Sequence, residues 1–493
     1  MQDDERCDVT ITPNKGENPA DAIGKNSSWD AIDWKQAEAY VSRLQRRIAE
    51  AKLAGKRNLV KRLQHLLTRS FYGRAIAVRR VTERNRGKYT SGVDGTTWNS
   101  PILKYEGVIS LNKDRYHSAP LRRIYIPKKS GKLRPLSIPT MYDRSMQALY
   151  ALALDPLQEA TADPNSYGFR IGRSCKDAAE QIFQCTSCHN QNPWILDADI
   201  KSCFDRISHE WLLNNIPMER KVLRQFLKAG FVYHERLFPT EDGTPQGGII
   251  SPILANMTLN GIEKLLREQF PGEKIHPIRY ADDLIVTAPS KELAEEVQMT
   301  LVPFLSERGL EFSEEKTKIV HVSEGFDFLG WNFRKWNGKK MIIRPSKASL
   351  NAITDKIHRI ILEEGLALTQ NEIIWGLNSV LRGWGNYHNA SCAKTTFSYV
   401  DHYVVQCLLR WANHRHPRKG RKWHYDRYWK RVGKRKWTFC TKEATLFKMV
   451  DIRIRRHIKV RANENPYLNP EYFVYRRRYS REYRGHRDKE IAS

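Results

Sequence analysis

No apolar run in this 493-residue chain approaches the roughly 18–20 residues that a bilayer-crossing helix requires, and no membrane partner is expected. The first ten residues, MQDDERCDVT, are acidic and polar. They lack the basic start and apolar stretch of a secretory signal. Eight cysteines in a chain of this length do not make a disulfide framework. A reduced, cytoplasmic protein is expected. The run Cys185-Thr186-Ser187-Cys188-His189 matches a haem-attachment spacing, but nothing predicts export. No second ligand pair lies nearby to complete a zinc site, so the run reads as a surface loop. The chain also lacks internal repeats.

Acidic residues are in deficit. There are 83 Lys and Arg against 55 Asp and Glu, a net charge of +28, which points to a polyanionic partner. Solubility alone needs a net charge of only about 2–8 on a small domain. The excess is uneven: residues 415–493 hold 25 basic and 8 acidic residues. The same segment carries Trp423, Tyr425, Tyr428, Trp429 and Trp437. Cations interleaved with aromatics suit a phosphate backbone with unstacked bases. The plainer alternative is a small basic domain whose aromatics form its own core.

With 40% hydrophobic residues, the chain has material for real cores, and its length predicts two to four domains. Residues 1–28 are polar and read as a flexible N-terminus. From Trp34, Ala37, Val41, Leu44 and Ile48 recur on one helical face, and Leu59, Leu63, Leu66 and Leu67 predict a second helix. A loop ending Gly92-Val93-Asp94-Gly95 follows. Residues 122–143 read as a basic hairpin turning at Lys128-Lys129-Ser130-Gly131. Met146 to Leu157 reads as an apolar helix stopped near Pro156. Trp194 to Ile200 reads as a strand, and a helix starts after Ser208 and His209. Mixed strands and helices over 120–340 make this an α+β chain. Helical patterns then run over 347–411, broken at Arg382-Gly383-Trp384-Gly385-Asn386-Tyr387-His388. Boundaries fall near 343 and near His416-Pro417.

Within Ile278-Arg279-Tyr280-Ala281-Asp282-Asp283-Leu284-Ile285-Val286, two adjacent carboxylates sit between apolar, β-prone flanks. The run reads as strand, turn and strand entering a core. Carboxylates held there need a countercharge, and a divalent cation supplies it. Asp199, at the end of the Trp194 strand, can meet Asp282 across neighbouring strands. Two carboxylates bridging two divalent ions suit nucleotidyl transfer. Asp283 reads as a supporting carboxylate. Alternation places Asp197 on the same face as Asp199, so spacing alone excludes neither Asp197 nor Asp205.

The order of blocks resembles a polymerase palm, and in particular a bacterial-type group II intron-encoded reverse transcriptase and maturase. WILDADIKSCFDRISH (194–209) resembles the first acidic motif, and GTPQGGIISPILANM (243–257) the Pro-Gln-Gly block. IRYADDLIV (278–286) resembles the second acidic motif. GLEFSEEKTKIVH (309–321) and FDFLGWNF (326–333) resemble later palm blocks, RGWGNYH (382–388) the thumb, and GVDG (92–95) the N-terminal extension. The resemblance covers about residues 30 to 475. It implies a right-hand polymerase. The N-terminal extension would span 29–115, the fingers and palm 116–343, and an α-helical thumb, or maturase domain, 344–415. A small basic DNA-binding domain over 416–475 and a basic tail over 476–493 would complete the chain.

The resemblance implies roles as well. Asp199, Asp282 and Asp283 match the catalytic carboxylates. Two Mg²⁺ ions, with Mn²⁺ as a substitute, would be held by Asp199, Asp282 and the Ile200 backbone carbonyl. Phe204 matches the ring that blocks a ribose 2′-hydroxyl. Gln246 and Gly247 match the loop against template and incoming nucleotide, and Arg134 and Lys128 the cations that neutralise the dNTP triphosphate. Either Lys316 or Lys318 assists proton transfer to pyrophosphate. Partners would be the group II intron RNA, in a ribonucleoprotein, and the target DNA, in a bacterial cytoplasm, at the nucleoid, or in an organelle. The implied function is RNA-directed DNA synthesis, together with maturase action that promotes splicing and retrohoming.

Two departures stand out. Cys203 replaces a frequent aromatic, which predicts softer sugar discrimination. The chain carries no paired CxxC motif of a His-Asn-His nuclease domain, so cleavage of a second DNA strand is not expected of it. The alternatives are a domesticated reverse transcriptase of a defence or diversity-generating system, and a maturase acting only as an RNA-binding splicing factor.

Overall fold

The computed structural model describes residues 28–127, 131, 133–187 and 192–477. The chain forms two compact units. The first comprises the described residues up to Pro156, with Met218–Thr240 and Gly247–Ile250; the second holds the remainder.

In the first unit, helix Trp34–Leu53 is capped by Asp33, whose carboxylate accepts the Gln36 amide. Its Ala37, Val41, Leu44 and Ile48 stripe is buried. In helix Arg57–Arg69 the buried row is Val60, Leu63 and Leu67, while Leu66 faces solvent. Leu66 sits about a quarter-turn off the row that Val60 begins. Strands Leu121–Pro127 and Leu133–Ile138 pair as an antiparallel hairpin, with Arg134 opposite Ile126. Lys128, in its turn, lies outside the described residues. Strands Phe231–Tyr233 and Arg236–Phe238 extend that sheet.

Pro156 does not stop its helix, which runs Met141–Thr161. Proline has no N–H for the carbonyl four residues back, here Leu152. That carbonyl instead accepts the buried Gln45 side chain, Nε2 to O 2.8 Å. Tertiary contact thus repairs the gap that local sequence predicts to be a break.

The second unit is built on an antiparallel sheet in which Trp194–Asp199 lies between Asp283–Ala288 and Lys318–His321, and His276–Tyr280 flanks the outer side of Asp283–Ala288. Leu284, Ile285 and Val286 are all buried. Helix Cys175–Thr186 and helix Lys291–Ser306 both pack on that strand. A three-stranded sheet over Phe326–Phe328, Trp331–Trp336 and Lys340–Pro345 follows. After it come helices Lys347–His358, Gln370–His388 and Lys394–Arg415.

Two further expectations are corrected here. Arg382 to His388 does not break the helical pattern; it is the last turns of helix Gln370–His388. Gly385 is kept there by packing, because a Cβ would strike Ile452. Cys185 is not in a surface loop: it is buried in the last turns of helix Cys175–Thr186, while Cys188 and His189 lie outside the described residues. Of the C-terminal aromatics, Tyr428 and Trp429 are core, sharing one cluster with Trp411, Phe439 and Met449. Trp437 is exposed.

Gln45→Ala is expected to lower stability by about 1–2 kcal/mol, the cost of an orphaned buried carbonyl, read from the denaturant midpoint. In a Pro156→Ala background, where the backbone N–H is restored, the same change is expected to cost less. Equal costs in both backgrounds contradict the repair.

Candidate active site

Strand register assembles the acidic residues. Asp199 stands directly opposite Asp283. Two residues back, Asp197 lies between Ile285 and Lys318. Tyr280 pairs with Asp283, so Ala281 and Asp282 form a two-residue hairpin turn. Ala281 has φ +59°, and Asp282 is not among the residues with positive φ. Positive φ at the first turn residue alone is the type II′ pattern, a place for glycine. Alanine there stores strain on the order of 1–3 kcal/mol.

A buried scaffold holds that turn. The Arg279 backbone bonds segment 165–167: its N–H donates to Asn165 O at 3.0 Å, and its carbonyl accepts Tyr167 N–H at 2.8 Å. Its guanidinium is fully buried, and burial pulls it down to about 10, against the support of Asp163. Nη1 donates to Asn256 Oδ1 at 3.0 Å and to the Ala281 carbonyl at 3.1 Å, and Nη2 donates to Asn260 Oδ1 at 3.2 Å. Asn256 in turn donates to Gly168 O at 2.9 Å. Gly168 lies so close to the turn that a Cβ there would overlap the Ala281 backbone nitrogen.

Electrostatics at the turn are unbalanced. Asp283 is pushed up to about 7, first by burial, then by Asp282, Asp199 and Asp197. Lys316 Nζ donates to Asp199 Oδ2 at 2.8 Å, whereas Lys318 lies 3.5 Å from Asp197. The side-chain contacts therefore pair Lys316 with Asp199 and Lys318 with Asp197, its strand partner. The surplus of hard oxygen donors fits a divalent cation. Among the described residues no group of three His, Cys, Asp or Glu side chains is placed to hold a metal ion by itself. The bonds flanking Ile200, Lys201 N–H to Glu311 O and Ser313 N–H to Asp199 O, leave its carbonyl out of that ladder.

The remaining candidates divide between the units. In the second, Phe204 sits in the one-turn helix Cys203–Arg206 and meets Phe169 edge-on, centroids 6.2 Å apart. Cys203 is buried, which pushes its thiol up to about 12. Gln246 Nε2 donates to Asp205 Oδ2 at 3.0 Å, so Asp205 serves that loop. In the first unit, Gly247 has φ +114°, and a Cβ there would crowd Ser137 O; Arg134 is exposed on its strand. Sequence reasoning missed Arg279, Asn256 and Gly168. A charged residue between Ile278 and Tyr280, in a strand entering the core, was the available signal for the first.

Comparison with known proteins adds the class. Residues 126–333 match a family profile described as reverse transcriptase (RNA-dependent DNA polymerase). Residues 29–111 match the N-terminal domain of reverse transcriptase, and 350–429 the group II intron maturase-specific domain. The Group II intron-encoded protein LtrA of Lactococcus lactis subsp. cremoris is 29% identical over 429 residues, covering 67% of this chain and 71% of the relative. Protein YkfC of Escherichia coli K12 is 30% identical over 339 residues, covering 59% and 87%. A putative COX1/OXI3 intron 2 protein of Saccharomyces cerevisiae is 26% identical over 340 residues, covering 55% and 39%. A solved telomerase from Candida albicans aligns over 60% of each chain with TM-score 0.38 and 13% identity, too remote to carry an argument.

The sheet with its opposed carboxylates lies within the segment that matches an RNA-directed DNA polymerase, an activity dependent on divalent metal. The chain belongs to the group II intron-encoded reverse transcriptase and maturase family. It has reverse transcriptase and maturase function and binds nucleic acid, and the two alternatives weighed from sequence are not favoured. No helix among the described residues is long and apolar enough to cross a membrane.

Gly168→Ala is expected to displace the Ala281–Asp282 turn and reduce primer extension on an RNA template by about 100-fold, the scale of an ångström misplacement. Wild-type extension by a Gly168→Ala protein contradicts the close-approach role.

Proposed function

We propose that Asp199 and Asp282, with the Ile200 carbonyl, hold two Mg²⁺ ions, or Mn²⁺ in their place, and that Asp283 supports them from the opposing strand. The observation that carries this is the in-register opposition of Asp199 and Asp283, with Asp282 beside them at the turn. When bound, the ions activate a primer 3′-hydroxyl and stabilise the departing pyrophosphate. The chain's own groups do the rest. Lys316, at the Asp199 carboxylate, donates a proton to pyrophosphate. The Phe204 ring, backed by Phe169, excludes a ribose 2′-hydroxyl. Gln246, steadied by Asp205, lies with Gly247 against template and incoming dNTP. Arg134 and Lys128 neutralise the triphosphate as fingertip cations.

The maturase work falls to other surfaces. The N-terminal extension over 29–115, the thumb helices over 344–415 and the basic segment over 416–475 grip the parent intron RNA, and the last also grips target DNA. The intron splices, while the protein supplies cations and shape recognition. The resulting ribonucleoprotein acts in retrohoming, in a bacterial cytoplasm or an organelle. The exposed cations Lys430, Arg431, Lys434 and Lys436 around hairpin Trp429–Val432 and Arg435–Phe439 support this division, because they face solvent beside exposed Trp437 while Tyr428, Trp429 and Phe439 are packed in the core.

Substituting both Asp282 and Asp283 by Ala is expected to abolish primer extension while leaving intron RNA binding and splicing intact. An equal loss of splicing in a folded variant overturns the separation of roles. Replacing Lys430, Arg431, Lys434 and Lys436 by Ala is expected to flatten the dependence of log K on log salt by roughly 0.7–0.9 for each phosphate no longer neutralised; an unchanged slope removes this hairpin from the interface.

A further inference from the structure

We propose that Arg279 is a positioning residue that locks the catalytic turn in one of two peptide orientations and thereby aims the Asp282 carboxylate. The proposal rests on the reading that Asp199 and Asp282 hold a divalent cation. The peptide between Ala281 and Asp282 is the central peptide of the hairpin turn, and its carbonyl is the one that Arg279 Nη1 holds at 3.1 Å. Reversing that plane converts a II′ turn into a I′ turn, in which the second residue takes positive φ as well. Asp tolerates positive φ, so nothing local to Asp282 forbids the reversal. Nor does alanine at 281 favour the II′ form, which prefers glycine at that position. The choice between the two orientations therefore falls to the guanidinium.

The guanidinium is itself fixed. Nη1 also reaches Asn256 Oδ1 at 3.0 Å, and Nη2 reaches Asn260 Oδ1 at 3.2 Å. Asn256 lies on helix Ser251–Leu259 and is buried. Its own Nδ2 holds the Gly168 carbonyl at 2.9 Å, and Gly168 abuts Ala281 from the other side. At the start of that helix, Ser251 Oγ donates to the Pro245 carbonyl at 2.9 Å, next to Gln246. One buried cation thus ties the helix that follows the Pro-Gln-Gly loop to the peptide plane that orients a catalytic carboxylate. A lysine at 279 would keep the charge but not the fork that serves three acceptors at once.

The test compares wild type with Arg279→Lys, Asn256→Ala and Asp282→Asn in the full chain. Two readouts are taken: kcat and dNTP KM for extension on an RNA template, and Mn²⁺ affinity measured by electron paramagnetic resonance of the free ion. Arg279→Lys is expected to lower kcat by about 10- to 100-fold, as a sub-ångström to ångström misaiming does. It should change dNTP KM less than about twofold and weaken Mn²⁺ several-fold. Asn256→Ala, which leaves every charge in place, is expected to move kcat and Mn²⁺ affinity in the same direction by a smaller factor. A folded Arg279→Lys protein with wild-type kcat and Mn²⁺ affinity, while Asp282→Asn loses Mn²⁺, overturns the positioning role alone. If Arg279→Lys fails to fold, Asn256→Ala decides, and wild-type values there overturn the proposal. Mn²⁺ affinity unaffected by Asp282→Asn overturns the underlying metal reading, and the proposal with it.

Discussion

Two carboxylates facing each other in register, Asp199 on one strand and Asp283 on the next, set the terms for this protein. Like charges directly opposite across an antiparallel pair destabilise a sheet. Here a third carboxylate, Asp282, stands beside them, and Lys316 donates to the Asp199 carboxylate. The arrangement raises the cost of the folded chain unless a countercharge offsets it. On the proposed reading, the repulsion that weakens the bare sheet is what would draw a divalent cation to these carboxylates.

Much of the second unit serves to hold that unfavourable arrangement still. Beneath the turn, Arg279 is buried against Asn256 and bonds half-buried Asn260. Nearby, Glu159 is buried between Arg170 and Arg173 at 2.9 Å from each. Breaking such pairs by removing one partner leaves an uncompensated charge, so each member is costly to lose even where the pair adds little net stability. A second node lies at helix Cys175–Thr186. Burial acts against the Asp177 carboxylate, yet His457 and Arg476 outweigh it and hold it below the usual carboxylate range. Asp177 also accepts the Val460 amide at 2.7 Å, and Val460 and Phe473 enter the same hydrophobic cluster as Ile195, Ile278 and Ile285. The basic C-terminal segment is therefore part of the palm's own packing as well as a source of positive charge.

What was legible in the sequence was local. Alternation and apolar flanks revealed the Trp194 strand and the Tyr280 to Asp283 turn, and helical periodicity revealed the buried stripe of Ala37, Val41, Leu44 and Ile48. What was not legible needed a partner from elsewhere in the chain. Lys316 and Lys318 are two residues apart and equivalent by spacing, and only the folded strands bring one to Asp199 and the other to Asp197. Pro156 reads as a helix stop until Gln45, 111 residues earlier, is seen to bond the Leu152 carbonyl. Gly383 and Gly385 read as a break until Ile452 packs on the helix there. Arg279 reads as a stray charge in a strand because its acceptors come from segments before and after it. Sequence left open whether Tyr428 and Trp429 stack on bases or pack in a core; they are in the core that includes helix Lys394–Arg415.

The claim that the opposition of Asp283 to Asp199 primes these carboxylates for a cation is tested most directly by thermal unfolding of wild type and Asp283→Asn, each with and without Mg²⁺. The account predicts that Asp283→Asn melts higher than wild type in the absence of metal, since one of the opposed charges is gone, and that it gains less than wild type when Mg²⁺ is added. An Asp283→Asn protein that melts lower without metal, or that gains as much from Mg²⁺ as wild type does, contradicts it.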